Sequence, residues 1–372
     1  MPAYVAALCQ EIRIIGAQSN GGEDVHTLFF GGGTPSLLQV EQVNQIITAT
    51  RQSFQVCQEA EITLEANPGT VTLDSIGGYA ASGVNRFSFG MQSAHPDDLR
   101  ILDRRHTFTD VLDAVSACRK AGIKHINLDL IFGIPGQSLA RWETTLQRAV
   151  ATGVDHLSLY GLTIEEDTPM FRWIEKGLLT PSDDDLAADM YELADEFLAK
   201  EGYQQYEISN WSRSESAQCR HNLQYWRYEP YYGFGAGAHG FIRGTRTENV
   251  ATIQEYLQRM NGGQHEEYPA SPAAKAVNKL SWWEQAQEMM MVGLRMTKSG
   301  VSTTRYKDRL GIDLEVAFSG QISRLREEGL VEIVDVPERS LRLTRKGRLL
   351  GNQVFLEFVG NKLPDNLVEP SR

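Results

Sequence analysis

The chain has 372 residues, of which 41% are hydrophobic and 23% charged, and its formal net charge is −12. This length favours a large domain plus a smaller one, and the acidic charge disfavours general binding to nucleic acid or to an anionic membrane. Since no apolar run approaches the roughly 18 residues of a membrane span, and the first residues lack the features of a secretory signal, we expect a cytoplasmic protein without a transmembrane segment.

The chain opens on a helical pattern, YVAALCQEIRII, with no strand in front of it. Six β-rich runs follow, and amphipathic helical stretches such as 40–54, 110–122 and 140–153 lie between them. The runs are HTLFF at 26–30, EITLEA at 61–66, NRFSFG at 85–90, HINLDLIF at 125–132, HLSLYGL at 156–162 and QYEIS at 205–209. This alternation predicts parallel strands joined by crossover helices, and hence an α/β fold of the partial (β/α) barrel kind.

The lack of a strand before the first helix has a structural consequence. In a β/α barrel it leaves the strand at 26–30 with an unpaired edge, which is an aggregation hazard. We therefore expect that the first barrel strand is missing through a truncation or a misplaced start.

The run GAGAHG at 235–240 matches the dinucleotide-binding pattern G-x-G-x-x-G by letter. It follows the aromatic run YEPYYGF rather than a strand, and no helical pattern begins there. We therefore interpret its glycines as tight turns or points of close backbone approach, and a dinucleotide-binding fold is disfavoured.

The sequence divides into a barrel at 1–260, a linker at 261–276 and a C-terminal domain at 277–360. The linker is rich in Gly, Pro and polar residues. Beyond it, helices lead into LVEIVDVPERSLRLTRKG, which predicts two strands around a turn and is typical of a winged helix. The wing is basic at Arg339, Arg342, Arg345, Lys346 and Arg348. We favour a solvated wing over one that contacts nucleic acid or a protein partner, because the whole chain is acidic.

The loop GGGTPS at 31–36 directly follows an apolar strand. Three consecutive glycines let backbone amides approach a ligand with no side chain between, which favours ligand binding over a simple tight turn. The loop lacks the Lys-Ser/Thr pair of a P-loop, so binding of a nucleoside triphosphate is not implied.

Polar side chains also stand at or near the ends of the next strands, at Glu65, Gln92, Arg104 and Asp129. A carboxylate suits ribose hydroxyls and an arginine suits a carboxylate, so this set can hold a zwitterionic nucleoside such as S-adenosylmethionine (SAM). The alternative is a structural ion pair between Glu65 and Arg104.

Seven motifs in this order resemble the HemN/HemW family of radical SAM proteins, and the resemblance covers residues 4–358. The motifs are GGGTPS, EANPG, NRFSFGMQS, NLDLIFGIPGQ, HLSLYGLTIEEDTP, YEISN and HNLQYW. The resemblance implies a radical SAM-type partial barrel with a C-terminal winged-helix-like domain. It also implies that the family's SAM contacts stand at Gly32, Gly33, Thr34, Glu65, Gln92, Arg104 and Asp129.

Within this family, HNLQYW at 221–226 resembles the HNxxYW motif of HemW-type haem chaperones. That likeness implies a protein that binds haem and passes it to acceptors such as respiratory or other haem enzymes. It implies His221 as an axial ligand to the haem iron, and Asn222, Tyr225 and Trp226 as further haem contacts. The alternatives are that these side chains cap a turn and fill a core, or that Cys219 supplies a thiolate ligand. The sequence leaves open whether the chain forms a homodimer.

The chain departs from the family in its cysteines. Radical SAM proteins carry C-x-x-x-C-x-x-C, which holds a [4Fe–4S] cluster, whereas this chain has the scattered Cys9, Cys57, Cys118 and Cys219. The family implies the cluster, but its cysteine ligands are absent, so we expect no radical chemistry from the chain as written. An enzyme resembling oxygen-independent coproporphyrinogen III oxidase is the alternative if a cluster-binding segment lies upstream. A degenerate SAM-binding or partner-binding protein ranks last.

Overall fold

The computed structural model describes residues 1–19, 24–181, 183–263, 266–364 and 367–369. Contacts between Cα atoms divide the chain into two compact units. The sheet unit comprises Thr27–Val43 and Glu61–Gln218, and the winged unit comprises Met1–His26, Asn44–Ala60 and Cys219–Arg372. The boundaries at 1–260, 261–276 and 277–360 stay a prediction, and positions 264 and 265 of the predicted linker lie outside the described residues.

Seven strands form one mixed sheet in the order β1-β2-β3-β4-β5-β7-β6. They are β1 (Asp24–Phe30), β2 (Gln55–Ala66), β3 (Arg86–Gln92), β4 (His125–Phe132), β5 (His156–Gly161), β6 (Gln204–Glu207) and β7 (Asn210–Ser212). The strands from β2 to β5 pair in parallel, whereas β7 is antiparallel to β5 and to β6. The predicted partial α/β barrel is confirmed, and β1 lies at one edge of this sheet as expected.

The run QYEIS, predicted as one strand at 205–209, belongs to a hairpin instead. β6 ends at Glu207, and β7 begins at Asn210 and runs back along β6. The Glu207 carboxylate accepts a hydrogen bond from the Asn210 side chain across the turn. The carbonyl of Ser209 accepts a hydrogen bond of 2.7 Å from the backbone of Leu159, which joins the turn to β5. The expectation of parallel pairing is therefore wrong for the last two strands.

Helices precede and connect these strands. They are α1 (Pro2–Gln18), α2 (Val40–Ser53), α3 (Leu73–Ser82), α4 (Pro96–Ile101), α5 (Phe108–Lys120), α6 (Leu139–Ala151), α7 (Pro169–Glu175) and α8 (Asp184–Lys200). Thr72 and Thr107 begin α3 and α5 with capping boxes, in which Ser75 and Asp110 bond back to the cap. Each box satisfies two backbone N–H groups that a helix start otherwise leaves unpaired.

The register of β3, β4 and β5 places a row of polar side chains across the sheet. Ser88 pairs with Asn127, and Asn127 pairs with His156. Two residues further along β4, Asp129 pairs with Ser158. Because side chains two residues apart share a face of a strand, all five lie on one face of the sheet.

The winged unit contains two three-stranded antiparallel sheets, ordered β10-β9-β8 and β11-β13-β12. Its strands are β8 (His239–Ile242), β9 (Thr245–Asn249), β10 (Ala274–Lys279), β11 (Val301–Ser302), β12 (Val331–Val334) and β13 (Ser340–Leu343). Its helices beyond α1 and α2 are α9 (Arg220–Trp226), α10 (Ile253–Asn261), α11 (Trp282–Gly293), α12 (Thr303–Leu310), α13 (Leu314–Ala317), α14 (Ser319–Glu327), α15 (Arg345–Leu349) and α16 (Gly351–Leu356). The predicted strands around a turn are β12 and β13.

No helix in the described parts of the chain has the length and apolarity needed to cross a membrane.

The basic wing is paired with acidic side chains. Arg339 donates to Glu315 at 2.8 Å and to Asp335 at 2.8 Å, and Arg342 donates to Glu332 at 2.9 Å. These pairs balance two of the predicted basic charges at the surface. They favour the interpretation of a solvated wing.

One buried carboxylate fastens α1 to the rest of the winged unit. Glu11 has no exposed surface, and it accepts hydrogen bonds from the backbone of Gly235 at 2.8 Å and from the Asn249 side chain at 2.7 Å. The hydroxyls of Tyr256 and Ser271 donate to it at 2.7 and 2.6 Å. Four donors thus replace the water that this carboxylate loses on burial.

The GAGAHG run meets α1 by close backbone approach. A Cβ atom on Gly235 would lie 2.6 Å from the Tyr4 hydroxyl, and that hydroxyl accepts a hydrogen bond from the backbone of Ala236 at 3.2 Å. The next element is the strand β8 rather than a helix. This agrees with our interpretation of the run and not with a dinucleotide-binding turn.

Candidate functional site

The glycine loop after β1 curls toward the end of β2. Gly32 and Gly33 have φ values of 75° and 60°, which favour glycine, and the space where a Cβ atom would stand is open at both. The backbone N–H of Gly32 donates to the Glu65 carboxylate at 3.2 Å. Thr34 accepts a long hydrogen bond of 3.5 Å from the side chain of Asn67. The loop therefore presents bare backbone beside a carboxylate, as a ligand-binding loop requires.

Two carboxylates, Glu65 on β2 and Asp129 on β4, have raised pKa values. We call them the rim carboxylates. Burial raises the pKa of Glu65, and the negative charge of Asp129 raises it further, while the Gly32 amide opposes the change. Burial also raises the pKa of Asp129, against the hydrogen bonds from Ser88 at 2.9 Å and from Asn127 at 2.8 Å. Two partly desolvated carboxylates that repel one another form a site suited to a cationic ligand.

Gln92 and Arg104 differ in how the structure places them. Gln92 ends β3 with a φ of 63°, and its side-chain nitrogen lies 2.8 Å from the point where a Cβ atom on Gly90 would stand. The oxygen of the Asn67 side chain is 3.9 Å from the same point. Arg104 is exposed after α4, and across the described residues no ion pair joins it to Glu65. The structural ion pair is therefore not formed.

The polar residues that surround the two carboxylates could not be predicted from the sequence. Asn67 donates to Thr34, and Ser88 and Asn127 donate to Asp129. The sequence signal for Ser88 and Asn127 is that polar residues alternate with apolar ones in NRFSFG and HINLDL. That pattern shows a shared face but not which neighbours meet across strands.

The motif HNLQYW forms α9. His221 and Tyr225 are four residues apart on a helix and so share a face, and the Tyr225 hydroxyl lies 3.0 Å from Nε2 of His221. Burial lowers the pKa of His221 to about 4 and, together with Tyr231 and Cys219, raises the pKa of Tyr225 to about 12. At neutral pH the imidazole is therefore uncharged, and its Nε2 shares a hydrogen bond with the Tyr225 hydroxyl.

Asn222 and Trp226 lie on the neighbouring face of α9, also four residues apart, and both are half-buried. The guanidinium carbon of Arg295 is 4.9 Å from the Trp226 ring centre. The indole N–H of Trp226 is buried and makes no hydrogen bond within the described part of the chain. A buried donor without a partner costs free energy, so a ligand oxygen that reached it would stabilise the bound state.

The four cysteines lie on different elements. Cys9, Cys118 and Cys219 are buried, and Cys57 is half-buried. Burial raises the pKa of the Cys118 thiol to about 12, which disfavours a metal-binding thiolate. Over the ranges that the structure describes, no three His, Cys, Asp or Glu side chains are grouped as metal ligands. The residues present do not fit a cluster held by three cysteines.

Family models and a solved structure define the class of protein. A model of the radical SAM superfamily matches residues 10–149, and a model of the HemN C-terminal domain matches residues 280–350. The fold is similar to that of the radical SAM enzyme coproporphyrinogen III oxidase (HemN) from Escherichia coli, with a TM-score of 0.80 and 24% identity. This similarity covers 96% of the present chain and 82% of the other. The class is that of radical SAM proteins with a HemN-type C-terminal domain.

Proteins that are similar in sequence identify the family within this class. The chain is 35% identical over 358 residues to the heme chaperone HemW of Bacillus subtilis, covering 96% of this chain and 91% of that protein. It is 34% identical over 359 residues to the heme chaperone HemW of Lactococcus lactis, covering 96% and 89%. The chain belongs to the HemW family. Its radical SAM membership implies SAM and a [4Fe–4S] cluster as cofactors of the superfamily, and the residues at the glycine loop fit the first of these.

Proposed function

We propose that the protein binds haem at α9 and hands it to acceptor proteins. The observation that carries the proposal is the half-buried His221 imidazole, whose pKa of about 4 keeps it neutral at physiological pH. A neutral imidazole nitrogen is a suitable ligand for haem iron. The name of the HemW relatives, heme chaperone, supports haem as the cargo and transfer as the activity.

The surroundings of His221 suit a flat ligand that carries carboxylates. Tyr225 stands edge-on to Tyr231, with ring centres 4.6 Å apart, and Trp226 adds a second aromatic surface. Aromatic rings pack against an apolar macrocycle, while the Arg295 guanidinium and the indole N–H of Trp226 suit propionate oxygens. Coordination through Nε2 of His221 requires the Tyr225 hydroxyl to move away from that nitrogen.

Replacing His221 with alanine is expected to weaken haem binding at least about tenfold, because the iron loses its nitrogen ligand. Titration of the purified chain with haem, followed at the Soret band, measures this change. The wild-type protein is expected to give a saturable, roughly one-to-one shift. Resonance Raman spectra of both proteins would report the identity of the axial ligand.

The matched control for that titration is His239→Ala, because the His239 side chain is 62% exposed in the same unit. It should bind haem as the wild type does. A shift that is the same in His221→Ala as in the control would contradict ligation by His221 and direct the search to Cys219. An absence of saturable binding by the wild type would contradict the haem proposal itself.

We also propose that the glycine loop and the rim carboxylates bind SAM. Gly32 and Gly33 supply open backbone, and Thr34 and Gln92 are further contacts that the family resemblance implies. The sulfonium and ammonium groups of SAM relieve the repulsion between the two rim carboxylates, and ribose hydroxyls can donate to them. Arg104 is another contact that the family resemblance implies. The contribution of this chain's residues is binding and orientation, since radical chemistry needs an electron from the cluster.

Glu65→Gln is expected to lower the affinity for SAM about tenfold, since one of two charges facing the cation is lost. Because the pKa of Glu65 is raised, wild-type affinity should decline as the pH falls toward this raised value, and the variant should show a weaker decline. Equilibrium dialysis with labelled SAM across a pH series measures both effects. Glu143→Gln, which removes an exposed charge from α6, is the control. Equal affinities in both variants would contradict the assignment of Glu65.

The remaining parts of the proposal concern the cellular setting. We infer haem-acceptor proteins as partners, such as respiratory or other haem enzymes, and a cytoplasmic location. A homodimer and the absence of nucleic-acid binding stay predictions. The alternative is still an enzyme that resembles oxygen-independent coproporphyrinogen III oxidase. Its activity would depend on ligands for a [4Fe–4S] cluster that the cysteines of this chain do not supply.

A further inference from the structure

A buried chain of hydrogen bonds runs beneath Asp129 in the sheet unit. The Asn127 amide nitrogen donates to Asp129 at 2.8 Å and to Ser88 at 2.7 Å. The oxygen of the same amide lies 2.6 Å from Nδ1 of His156. Nε2 of His156 lies 2.8 Å from the Tyr206 hydroxyl. Apart from Asp129, which is half-buried at the rim, every member is less than a tenth exposed.

The directions of these hydrogen bonds follow from the groups involved. An ionised Asp129 only accepts, so the Asn127 amide must turn its nitrogen to Asp129 and its oxygen to His156. The oxygen also accepts from Ser158 at 3.2 Å. Nδ1 of His156 must therefore carry the hydrogen, and Nε2 accepts from Tyr206. Burial, together with the positive Arg86 and the neighbouring His125, holds the pKa of His156 well below its usual range, so the ring stays neutral.

Packing alone does not explain why an imidazole is buried at position 156. An apolar side chain of similar size would fill the same space without the cost of burying an imidazole. The imidazole instead determines which way the Asn127 amide faces. If that amide turned over, its oxygen would face the Asp129 carboxylate, and two acceptors would meet.

We propose that His156 is a positioning residue, which holds the Asn127 amide and through it the Asp129 carboxylate in place for a cationic or hydroxyl-bearing ligand. The ligand class rests on the proposed SAM site. The effect on Asp129 itself does not depend on that site, because it arises within the protein. The two can therefore be tested separately.

The first measurement is the titration of Asp129 in full-length protein labelled with carbon-13 at the aspartate carboxyl carbons, with the signal assigned by Asp129→Asn. His156→Leu removes the donor to Asn127 and is expected to raise the pKa of Asp129. His156→Asn keeps an amide N–H near the position of Nδ1 and should restore most of the wild-type titration. A merely structural role for His156 would not produce rescue by the asparagine variant.

Tyr206→Phe provides a second variant if His156→Leu does not fold. It removes the donor to Nε2 and so lets His156 carry its hydrogen there, which should move the Asp129 titration in the same direction by a smaller amount. An Asp129 titration that is unchanged in the folded variants would overturn the proposal.

The second measurement is equilibrium dialysis with SAM as the probe. His156→Leu is expected to reduce the affinity about tenfold, and His156→Asn to recover it. If SAM fails to bind to the wild type, the proposed ligand is wrong while the Asp129 titration still decides the role of His156. If SAM binds equally well to the wild type and to His156→Leu, His156 does not position the carboxylate for this ligand.

Discussion

Replacing Glu11 with alanine is expected to lower the free energy of unfolding of the winged unit by about 3–5 kcal/mol. Hydrogen bonds to a charged group are worth about 1.5–3 kcal/mol each, and a buried donor left unpaired costs about 1–3 kcal/mol. Four donors converge on this carboxylate from Gly235, Asn249, Tyr256 and Ser271. The sum is reduced because water can enter and neighbouring groups can rearrange. Urea unfolding followed by circular dichroism measures the loss.

Two further variants show whether the loss comes from the buried carboxylate. Glu11→Gln keeps one acceptor oxygen and replaces the other with a donor that faces donors, so its stability should lie between those of the wild type and the alanine variant. Gln10→Ala alters an exposed neighbour on the same helix and should change stability by less than about 0.5 kcal/mol. If Glu11→Ala and Gln10→Ala unfolded at the same urea concentration, Glu11 would not anchor α1.

The second large effect is expected at Gly347, where α15 crosses close to the backbone before β12. A Cβ atom at this buried position would overlap the carbonyl oxygen of Leu330, which also accepts a hydrogen bond of 3.0 Å from the backbone of Thr344. Neither backbone segment can yield without disturbing that bond. Gly347→Ala should therefore cost about 1–3 kcal/mol or more, as overpacking does.

Gly320→Ala is the matched control for this substitution. Gly320 lies on α14 of the same unit, is exposed, and has open space where a Cβ atom would stand. Alanine there should stabilise the helix by about 0.5–1 kcal/mol, since it loses less backbone entropy on folding. Thermal unfolding of both variants gives the comparison. A Gly347→Ala protein as stable as the wild type would show that the approach of the two segments is not tight.

The family motifs could be recognised from the sequence because they are local. The local positions are within a strand for Glu65 and Asp129, directly after a strand for the glycines of GGGTPS, and on one helix for the histidine of HNLQYW. Their strands and helices follow from period and capping, which depend on residues a few positions apart. That is also why most predicted strands coincide with strands of the structure.

Contacts that join distant parts of the chain could not be predicted in this way. The donors to Glu11 stand 224 to 260 residues away from it in sequence. QYEIS was expected to pair in parallel because a single β-rich run does not show whether the chain turns back. The tie between Asn127 and His156 depends on strand register, which is set by pairing along whole strands rather than by either residue.

The sequence by itself determined the family, the alternation of strands and helices up to β5, and the residues predicted for the SAM and haem sites. Only the tertiary structure decided that the Tyr225 hydroxyl faces Nε2 of His221, that Glu11 is buried among four donors, and that His156 controls the amide beside Asp129. The physical reason is that burial and hydrogen-bond direction depend on neighbours brought together by folding. A side chain's type and its spacing from near neighbours can be read from the sequence, but its hydrogen-bond partners from distant parts of the chain cannot.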